Sequence, residues 1–333
     1  MHRAEGRTSR CRLHVTIPCG VGRFAGPLAV EMRVYRRTGD IVQCAREARL
    51  VVPAFNIPYL DMMGPVVQAL RDARSFALIE VARLEWVKFQ AGSLEAVREQ
   101  YEQCRDDRHT RLHLDHVPVV DEDGQQVDYL ADIRRAIELG YESVMVDGSR
   151  LTLARNIAAT RQVCELAHER GIPVEGELGA VLGHEEGPMP AYEELFASGR
   201  GFTDPGEARQ FVRQTGVDWL SVAIGNLHGA ISAARRDEKK VPARLSIAHL
   251  EKIRQAADVP LVLHGGTGIA RQYVQDAIQH GIVKVNIGTA IRQPYERAIQ
   301  RSGDAARQAV YDAARQVLGE DLQVEGSVEI LNP

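Results

Sequence analysis

Three histidines stand at the ends of short apolar segments whose composition is typical of buried strands. His116 and His264 close such segments, and His228 directly follows another one. For any one of them, a hydrogen-bonded histidine at a strand end is the simpler interpretation, but three at equivalent places favour a shared metal ion. Three imidazole ligands with an open fourth position form the pattern of a catalytic zinc site. The sequence therefore predicts a zinc ion that acts as a Lewis acid on a substrate carbonyl or enediolate.

Carboxylates accompany these histidines. Asp115 directly precedes His116, and it can either orient an imidazole or act as a general acid and base on a substrate hydroxyl. Spacing alone leaves both roles open. Glu175 and Glu177 share one face of a later strand. Because a carboxylate inside a fold is costly unless it is paired or bound to a cation, an internal ion-pair network is the simpler interpretation of these two residues.

Two glycine-rich turns follow the last two predicted strands. Residues 264–268 read His-Gly-Gly-Thr-Gly, and residues 286–289 read Asn-Ile-Gly-Thr. Turns at these places in α/β barrels bind phosphate through backbone N–H groups and a helix N-terminus. Thr267 and Thr289 can add hydroxyl donors, and Gly229 can join them. The sequence therefore predicts a phosphate site here rather than two plain tight turns.

The elements that would position these residues alternate between strand and helix. Eight strand–helix units are present, which is typical of a single-domain (β/α)8 TIM barrel. A further helix, roughly Asp304–Leu318, is expected to pack outside it. Two long connections, Gly179–Phe202 and Gly225–Leu245, leave the carboxyl ends of strands, where such barrels carry their catalytic residues. The predicted strands are Val51–Asn56, Phe76–Val81, Arg111–Asp115, Ser143–Asp147, Pro173–Leu178, Trp219–Ile224, Leu261–His264 and Ile282–Ile287.

Charge and composition argue against several other classes of protein. The 333 residues carry a formal net charge of −4 and few aromatic side chains, so no nucleic-acid surface is indicated. No apolar run is long enough to span a bilayer, and the five cysteines are scattered without a CxxC pair. We therefore expect a cytoplasmic protein without disulfides. Residues 1–31 show no apolar period, so we expect them to be an extension that is disordered or upstream of the true start, followed by a barrel domain at 32–333.

Several of these segments occur together, in this order, in one enzyme family. They are residues 113–116 (His-Leu-Asp-His), 175–179 (Glu-Gly-Glu-Leu-Gly), 202–205 (Phe-Thr-Asp-Pro), 223–229, 264–268 and 284–287 (Lys-Val-Asn-Ile). The series resembles the class II, zinc-dependent fructose-bisphosphate aldolases, a family that includes the tagatose-bisphosphate enzymes. The resemblance extends from about Gly39 to Arg301.

This resemblance implies a role for each candidate residue. Asp115 would exchange a proton with the substrate's C4 hydroxyl, and Glu185, which by itself suggests only a solvated turn, would move the proton at C3. The zinc ligands would be His116, His228 and His264, with Glu177 close by as an alternate ligand. The dihydroxyacetone-phosphate half of the substrate would be lined by Gly229, Gly265, Gly266, Thr267, Asn286, Gly288 and Thr289.

The resemblance also implies an activity and an assembly. The activity is the reversible cleavage of a ketose phosphate to dihydroxyacetone phosphate and an aldehyde, with fructose 1,6-bisphosphate as the leading substrate and tagatose 1,6-bisphosphate as an alternative. Relatives often bind a monovalent cation, Na+ or K+, beside the phosphate. They also form dimers or tetramers, so we expect a homo-oligomer with no nucleic-acid or membrane partner.

Two other functions stay open at the level of the residues. Lys284 is the only lysine inside a predicted strand, and a Schiff-base aldolase would need such a residue. A non-catalytic sugar-phosphate-binding protein is the other alternative, because Glu80 and Ala82 stand where the family usually has a glutamine and a serine-containing turn. If Glu80 faces the barrel mouth, it would repel an anionic aldehyde unless Arg83 or Arg150 offsets its charge.

Overall fold

The computed structural model describes residues 35–179, 192–226, 243–266 and 269–333. In this part of the chain eight parallel strands pair in sequence order, and β1 also pairs with β8, so the sheet closes into a barrel. The predicted (β/α)8 fold is confirmed, whereas the predicted extension of residues 1–31 lies outside the described residues and stays a prediction. The strands are β1 (Val52–Asn56), β2 (Ala77–Ala82), β3 (Thr110–Pro118), β4 (Ser143–Asp147), β5 (Val174–Leu178), β6 (Trp219–Val222), β7 (Leu261–Leu263) and β8 (Ile282–Ile287).

Helices surround this barrel. Among the described residues, no helix combines the length and the apolar character that crossing a membrane would require. The last long helix, α12, contacts α2 and α11 and therefore packs outside the barrel, as predicted. The helices are α1 (Thr38–Ala48), α2 (Met63–Asp72), α3 (Arg83–Val87), α4 (Leu94–Cys104), α5 (Tyr129–Glu138), α6 (Leu153–His168), α7 (Tyr192–Ser198), α8 (Pro205–Thr215), α9 (Ile247–Ala257), α10 (Arg271–Gln279), α11 (Thr289–Ala298), α12 (Gly303–Gln316) and α13 (Val328–Leu331).

Three short helices were not predicted, because each is too short to show a helical period in the sequence. The predicted connection Gly179–Phe202 contains α7, and α13 lies near the C-terminus. The third, α3, directly follows β2. Its first turn is closed by the Glu85 carboxylate, which accepts the backbone N–H of Ala82 at 2.8 Å. This local hydrogen bond satisfies a donor that the helix itself leaves unpaired.

The side chains that face the inside of the barrel change from apolar to polar along the strands. Successive side chains of a strand point to opposite faces, so every second residue faces inward. On β1 these residues are Val52, Ala54 and then Asn56, and on β2 they are Leu78 and then Glu80. An apolar layer therefore fills the amino end of the barrel, and a polar layer lies at the carboxyl end, where TIM barrels carry their chemistry.

The amino end of the barrel is closed by the two ends of the described chain. Ile41 of α1 and Val328 and Leu331 of α13 pack against the inward-facing apolar residues of the strands. The backbone N–H of Arg36 donates to Asn332 Oδ1 at 2.9 Å, which ties the two ends together. A separate and larger apolar cluster lies between the strands and the outer helices.

Substitutions at two glycines test the packing of the strands against the outer helices. A Cβ at Gly176, which faces away from the barrel interior, would lie 2.9 Å from Phe211 Cε1 of α8 and 3.2 Å from Val217 Cγ2. We expect Gly176→Ala to lower the free energy of unfolding by about 1–3 kcal/mol through overpacking. Gly64→Ala is the control, because a Cβ there meets nothing within 4 Å. It should be neutral or stabilising by roughly 0.5–1 kcal/mol. Urea titrations of both variants measure the difference, and equal midpoints would contradict the packing of β5 against α8.

Candidate active site

A bulge in β3 turns two consecutive side chains towards the carboxyl end of the barrel. Leu114 pairs with Val144 and Val117 pairs with Val146, so β3 contains one more residue than β4 across this interval. The extra residue is accommodated at His116, whose φ of 42° lies in the left-handed region. The prediction that the strand ends at Asp115 is therefore wrong, because β3 continues to Pro118. The bulge, and not the end of the strand, brings Asp115 and His116 to the same cavity.

Three donor atoms converge beside this bulge. Glu177 Oε2 lies 3.6 Å from His116 Nε2 and 3.3 Å from His264 Nδ1. The three residues come from β5, from β3 and from the position directly after β7. In a tetrahedral zinc site with ligands about 2.1 Å from the ion, neighbouring ligand atoms are about 3.4 Å apart. Two imidazole nitrogens and a carboxylate oxygen at these distances fit one divalent metal ion.

The second nitrogen of each imidazole faces another carboxylate. His264 Nε2 donates to Glu175 Oε1 at 2.8 Å, and His116 Nδ1 lies 3.4 Å from Asp147 Oδ2. Asp147 is itself held by the backbone N–H of Ser149 at 2.8 Å. A carboxylate on the outer nitrogen fixes the ring and directs the lone pair of the inner nitrogen towards a metal.

The electrostatics of the two imidazoles also suit a cation. Burial alone would lower the pKa of His116, but the carboxylates of Glu177 and Asp147 outweigh it and raise the pKa to about 9. Burial likewise opposes protonation of His264, whose pKa is raised by Glu175 and Glu177. The surplus of negative charge at this point is what a bound divalent ion would neutralise, with release of the imidazole protons.

Asp115 is held as an ionised carboxylate by amide groups. Asn56 Nδ2 donates to Asp115 Oδ2 at 2.9 Å, and Asn286 Nδ2 donates to Asp115 Oδ1 at 3.0 Å. Burial would raise the pKa of Asp115, but the positive charge of Lys284 and of the nearby imidazoles holds it below its usual range. The carboxylates that lie against the imidazoles of His116 and His264 are Asp147, Glu175 and Glu177, so these residues, rather than Asp115, orient the two rings.

Lys284 is buried at the centre of a cluster of acidic groups. Its Nζ lies 2.9 Å from Glu175 Oε2, 3.2 Å from Glu80 Oε2 and 3.9 Å from Asp115 Oδ1, and it donates to Asn286 Oδ1 at 2.8 Å. Burial opposes its charge, but these carboxylates raise the pKa of Lys284 above its usual value. A Schiff-base lysine must lose its proton to attack a carbonyl, so this environment argues against that alternative. The internal ion-pair network predicted for Glu175 is present.

Glu80 does not face the barrel mouth. Its side chain is fully buried, and it points at Lys284 from the strand next to β3. Burial and the charge of Asp115 raise the pKa of Glu80 to about 8, although Lys284 opposes the shift. Burial and the neighbouring carboxylates therefore favour the protonated form of Glu80. The condition under which Glu80 was expected to repel an anionic aldehyde is therefore not met, because its carboxyl group lies inside the barrel and next to the ammonium group of Lys284.

A cavity of about 200 Å3 lies at the carboxyl end of the barrel. Besides Asp115, His116 and His264, its wall includes Gly265 after β7 and Gly288 and Thr289 after β8. α11 begins at Thr289, so backbone N–H groups of its first turn lie at this wall. Asn286 also lines the cavity, but its amide is engaged with Asp115 and Lys284, and Gly266 packs behind the wall against Val285.

The structure adds two candidate site residues that the sequence did not single out, and it leaves some earlier candidates untested. The additions are Asp147 and Asn56. Strand alternation could have identified Asn56, because it continues the inward face of β1. Asp147 is predicted only as the last residue of a strand, Ser143–Asp147, without a functional role. The predicted site residues Glu185, His228, Gly229 and Thr267 lie outside the described residues, and their roles stay predictions.

Comparison with known proteins gives consistent results. The family model described as "Fructose-bisphosphate aldolase class-II" matches residues 36–328. The crystal structure of the YdjI aldolase from Escherichia coli K12 is similar with a TM-score of 0.67 at 25% sequence identity, over 87% of this chain and 98% of that one. The fructose-bisphosphate aldolase (Fba) of Campylobacter jejuni has a TM-score of 0.67 at 16% identity, over 88% of this chain and 97% of its own, and this likeness concerns the fold alone.

The two carboxyl groups that flank Lys284 should respond differently to conversion into amides. Glu175 is ionised, with its pKa lowered to about 2 by Lys284 and His264 against the effect of burial. Glu175→Gln leaves a buried ammonium undercompensated, so we expect a loss of about 3–5 kcal/mol in the free energy of unfolding. Glu80→Gln replaces a carboxyl group that is uncharged at pH 5 with an amide of the same shape, so the free energy of unfolding should hardly change at that pH.

The effect of Glu80→Gln on the free energy of unfolding should depend on pH. The pKa of Glu80 is near 8 in the folded protein and near 4.5 in the unfolded chain. The stability that Glu80 contributes is therefore fully present below pH 4.5 and is lost as the pH rises through 8. The stability of Glu80→Gln relative to the unaltered protein should therefore increase between pH 5 and pH 8, by at most about 1.4 kcal/mol per pH unit. Urea unfolding with chelator present measures this difference. Equal losses for both variants at pH 5 would contradict a protonated Glu80.

Proposed function

Because the chain belongs to the class II fructose-bisphosphate aldolase family, we propose that it is a zinc-dependent enzyme that reversibly cleaves a ketose phosphate to dihydroxyacetone phosphate and an aldehyde. The observation that carries this proposal is the convergence of donor atoms from His116, Glu177 and His264 beside the ionised carboxylate of Asp115. His228 would complete the ligand set. Proton transfer and metal binding then meet in one cavity, as a retro-aldol reaction requires.

Fructose 1,6-bisphosphate is the leading substrate in this proposal, and tagatose 1,6-bisphosphate is the alternative. The two differ in configuration at C4, the carbon whose hydroxyl group Asp115 would deprotonate. A non-catalytic sugar-phosphate-binding protein is less well supported, because such a protein would not need an ionised carboxylate held by two amides at the edge of a candidate metal site.

Asp115 performs the central proton transfer. In cleavage it accepts the proton of the C4 hydroxyl, and in condensation it returns that proton. Lys284 keeps the carboxylate ionised, and the amides of Asn56 and Asn286 fix its direction. Glu185 exchanges the proton at C3 of dihydroxyacetone phosphate. The metal ion, when bound, supplies Lewis-acid polarisation of the substrate carbonyl.

The phosphate of the dihydroxyacetone half binds at the wall formed after β7 and β8. Gly265 has a φ of 69°, which allows the turn to present backbone N–H groups, and Thr289 adds a hydroxyl donor at the start of α11. The proposal assigns the same role to Gly229, Gly266, Thr267, Asn286 and Gly288. A monovalent cation beside the phosphate, a homodimeric or homotetrameric assembly and a cytoplasmic location are further parts of it.

Metal removal tests the cofactor. We expect a chelator to abolish cleavage of fructose 1,6-bisphosphate and added Zn2+ to restore it. His264→Ala should lower the metal content per chain, because it removes one of three converging donor atoms. His280→Ala is the matched control, since this imidazole lies outside the cavity and contacts Glu251 and the Asp276 carbonyl. Elemental analysis of the purified proteins reports the result, and normal zinc content in His264→Ala would refute the assignment.

Replacing Asp115 by Asn should separate two half-reactions. An amide has nearly the same shape as the carboxylate but cannot accept a proton at neutral pH, so cleavage should fall by about 10²–10⁴-fold. Hydrogen–deuterium exchange at C3 of dihydroxyacetone phosphate does not involve the C4 hydroxyl and should persist. Exchange, cleavage and zinc content are measured on the same preparation. A joint loss of exchange and cleavage with zinc still bound would show that Asp115 is not the C4 acid and base.

A further inference from the structure

The part of the cavity wall next to Asp115 carries a group of apolar side chains. Ala82, the last residue of β2, pairs with Asp115 of β3, and α3 begins directly after Ala82. The apolar residues of the wall lie at or after the ends of β1, β2 and β3. We call them the apolar surface, which consists of Pro58, Ala82, Leu84, Phe89, Pro118 and Val120.

Helix α3 turns one apolar side chain towards the core of the protein and another towards the cavity. Trp86 packs against the apolar cluster between the strands and the outer helices, whereas Leu84 lines the cavity. Within the described ranges, Leu84 and Val120 are half-buried and belong to neither apolar cluster of the fold. Folding therefore leaves part of their apolar surface uncovered, and a molecule that covers it gains the free energy of apolar burial.

Contacts around α3 hold the apolar surface in place. The backbone N–H of Gln90 donates to the Pro58 carbonyl at 3.1 Å, which joins the segment after α3 to the segment after β1. Lys88 Nζ lies 2.8 Å from Glu122 Oε1, which joins α3 to the segment after β3. The three walls are thus connected to one another, so the surface is formed before a substrate binds.

Two ionisable side chains of α3 lie beside this surface. Arg83 Nε lies 3.4 Å from Asp132 Oδ2, so its charge has a partner outside the surface. Burial raises the pKa of Glu85 well above its usual value and favours the uncharged form, although hydrogen bonds from Ala82 and Asn56 oppose this shift. Arg150 also lines the cavity, but it follows β4 and is not part of the apolar surface.

The position of Asp115 gives the apolar surface a place along the substrate. In the proposed reaction Asp115 exchanges a proton with the C4 hydroxyl group, so C4 lies next to this carboxylate. The proposed phosphate wall follows β7 and β8, and C1 to C3 extend from it towards the metal donors. The carbons beyond C4 belong to the aldehyde half, and they therefore lie against the residues beside Asp115, of which Ala82 is the paired one.

We propose that the site also cleaves and forms ketose 1-phosphates whose aldehyde half ends in an aliphatic group, which packs on the apolar surface. This inference rests on the proposed aldolase function and adds a class of substrate to the two bisphosphates. Condensation needs no further reactant, because the C3–C4 bond forms, C3 of dihydroxyacetone phosphate loses a proton, and the aldehyde oxygen gains one from Asp115.

The test measures kcat/KM for the condensation of dihydroxyacetone phosphate with propanal, butanal and pentanal by the zinc-loaded protein. The carbonyl groups of these three aldehydes have nearly the same reactivity, so a change of kcat/KM with length reports the contacts of the alkyl chain. We expect kcat/KM to increase by about threefold to fourfold per methylene group, the fold-change that corresponds to the burial of one CH2.

Three variants locate this contact. Leu84→Ser and Val120→Thr each place a hydroxyl group on the apolar surface, and we expect both to lower the increase per methylene group, to about twofold or less in Leu84→Ser. Val120→Thr nearly preserves the shape of the side chain, so it serves if Leu84→Ser fails to fold. Val87→Thr is the matched control, because Val87 lies on α3 but is 51% exposed and outside the cavity wall. It should keep the full increase.

The outcomes separate the inference from the proposed function. An increase that is lowered in the cavity variants and kept in Val87→Thr supports the inference. Equal values for the three aldehydes, no condensation of them while the C3 hydrogens of dihydroxyacetone phosphate still exchange, or an increase that both cavity variants retain would overturn it and leave the aldolase function standing. Failure of the unaltered protein to exchange these hydrogens and to condense any aldehyde, glyceraldehyde 3-phosphate included, would instead refute the proposed function itself.

Discussion

The buried ammonium group of Lys284 is the interaction on which the polar interior of the barrel depends. A lysine without contact with water is tolerated only where carboxylates compensate its charge, and Glu175 and Asp115 supply two ionised ones. Burial and the charge of Asp115 raise the pKa of Glu80, the third carboxyl group, and so favour its protonated form, although Lys284 opposes this shift. A protonated glutamic acid resembles glutamine in shape and hydrogen bonding, which explains how Glu80 can occupy a place where an amide was expected.

From Lys284 an alternating series of acidic and basic groups leads to the candidate metal centre. Lys284 contacts Glu175, Glu175 accepts from His264, and Glu177 lies between His264 and His116. Each member fixes the orientation of the next one, so the donor atoms are positioned before any ion binds. This preorganisation explains why buried groups that would each be destabilising alone can coexist at the carboxyl end of the strands.

The sequence was sufficient to predict the fold and part of the candidate site. Alternating strand and helix patterns predict β4 and β8 with the bounds that the structure has, because their apolar periods are regular. The bulge at His116 could not be predicted, since it depends on a mismatch in length between β3 and β4 that neither strand reveals alone. The environment of Glu80 was also missed, because its partner Lys284 is brought next to it only by closure of the barrel.

The way in which the amino end of the barrel is closed has a consequence for biosynthesis. The apolar interior at the amino end is covered by Val328 and Leu331, and the Arg36 guanidinium donates to the Leu331 carbonyl at 2.9 Å. A ribosome synthesises α13 after all eight strands, long after the inward-facing side chains of β1 and β2 have emerged. The nascent barrel therefore carries an uncovered apolar patch until α13 has emerged, and protection of that patch by a chaperone is most needed during this interval.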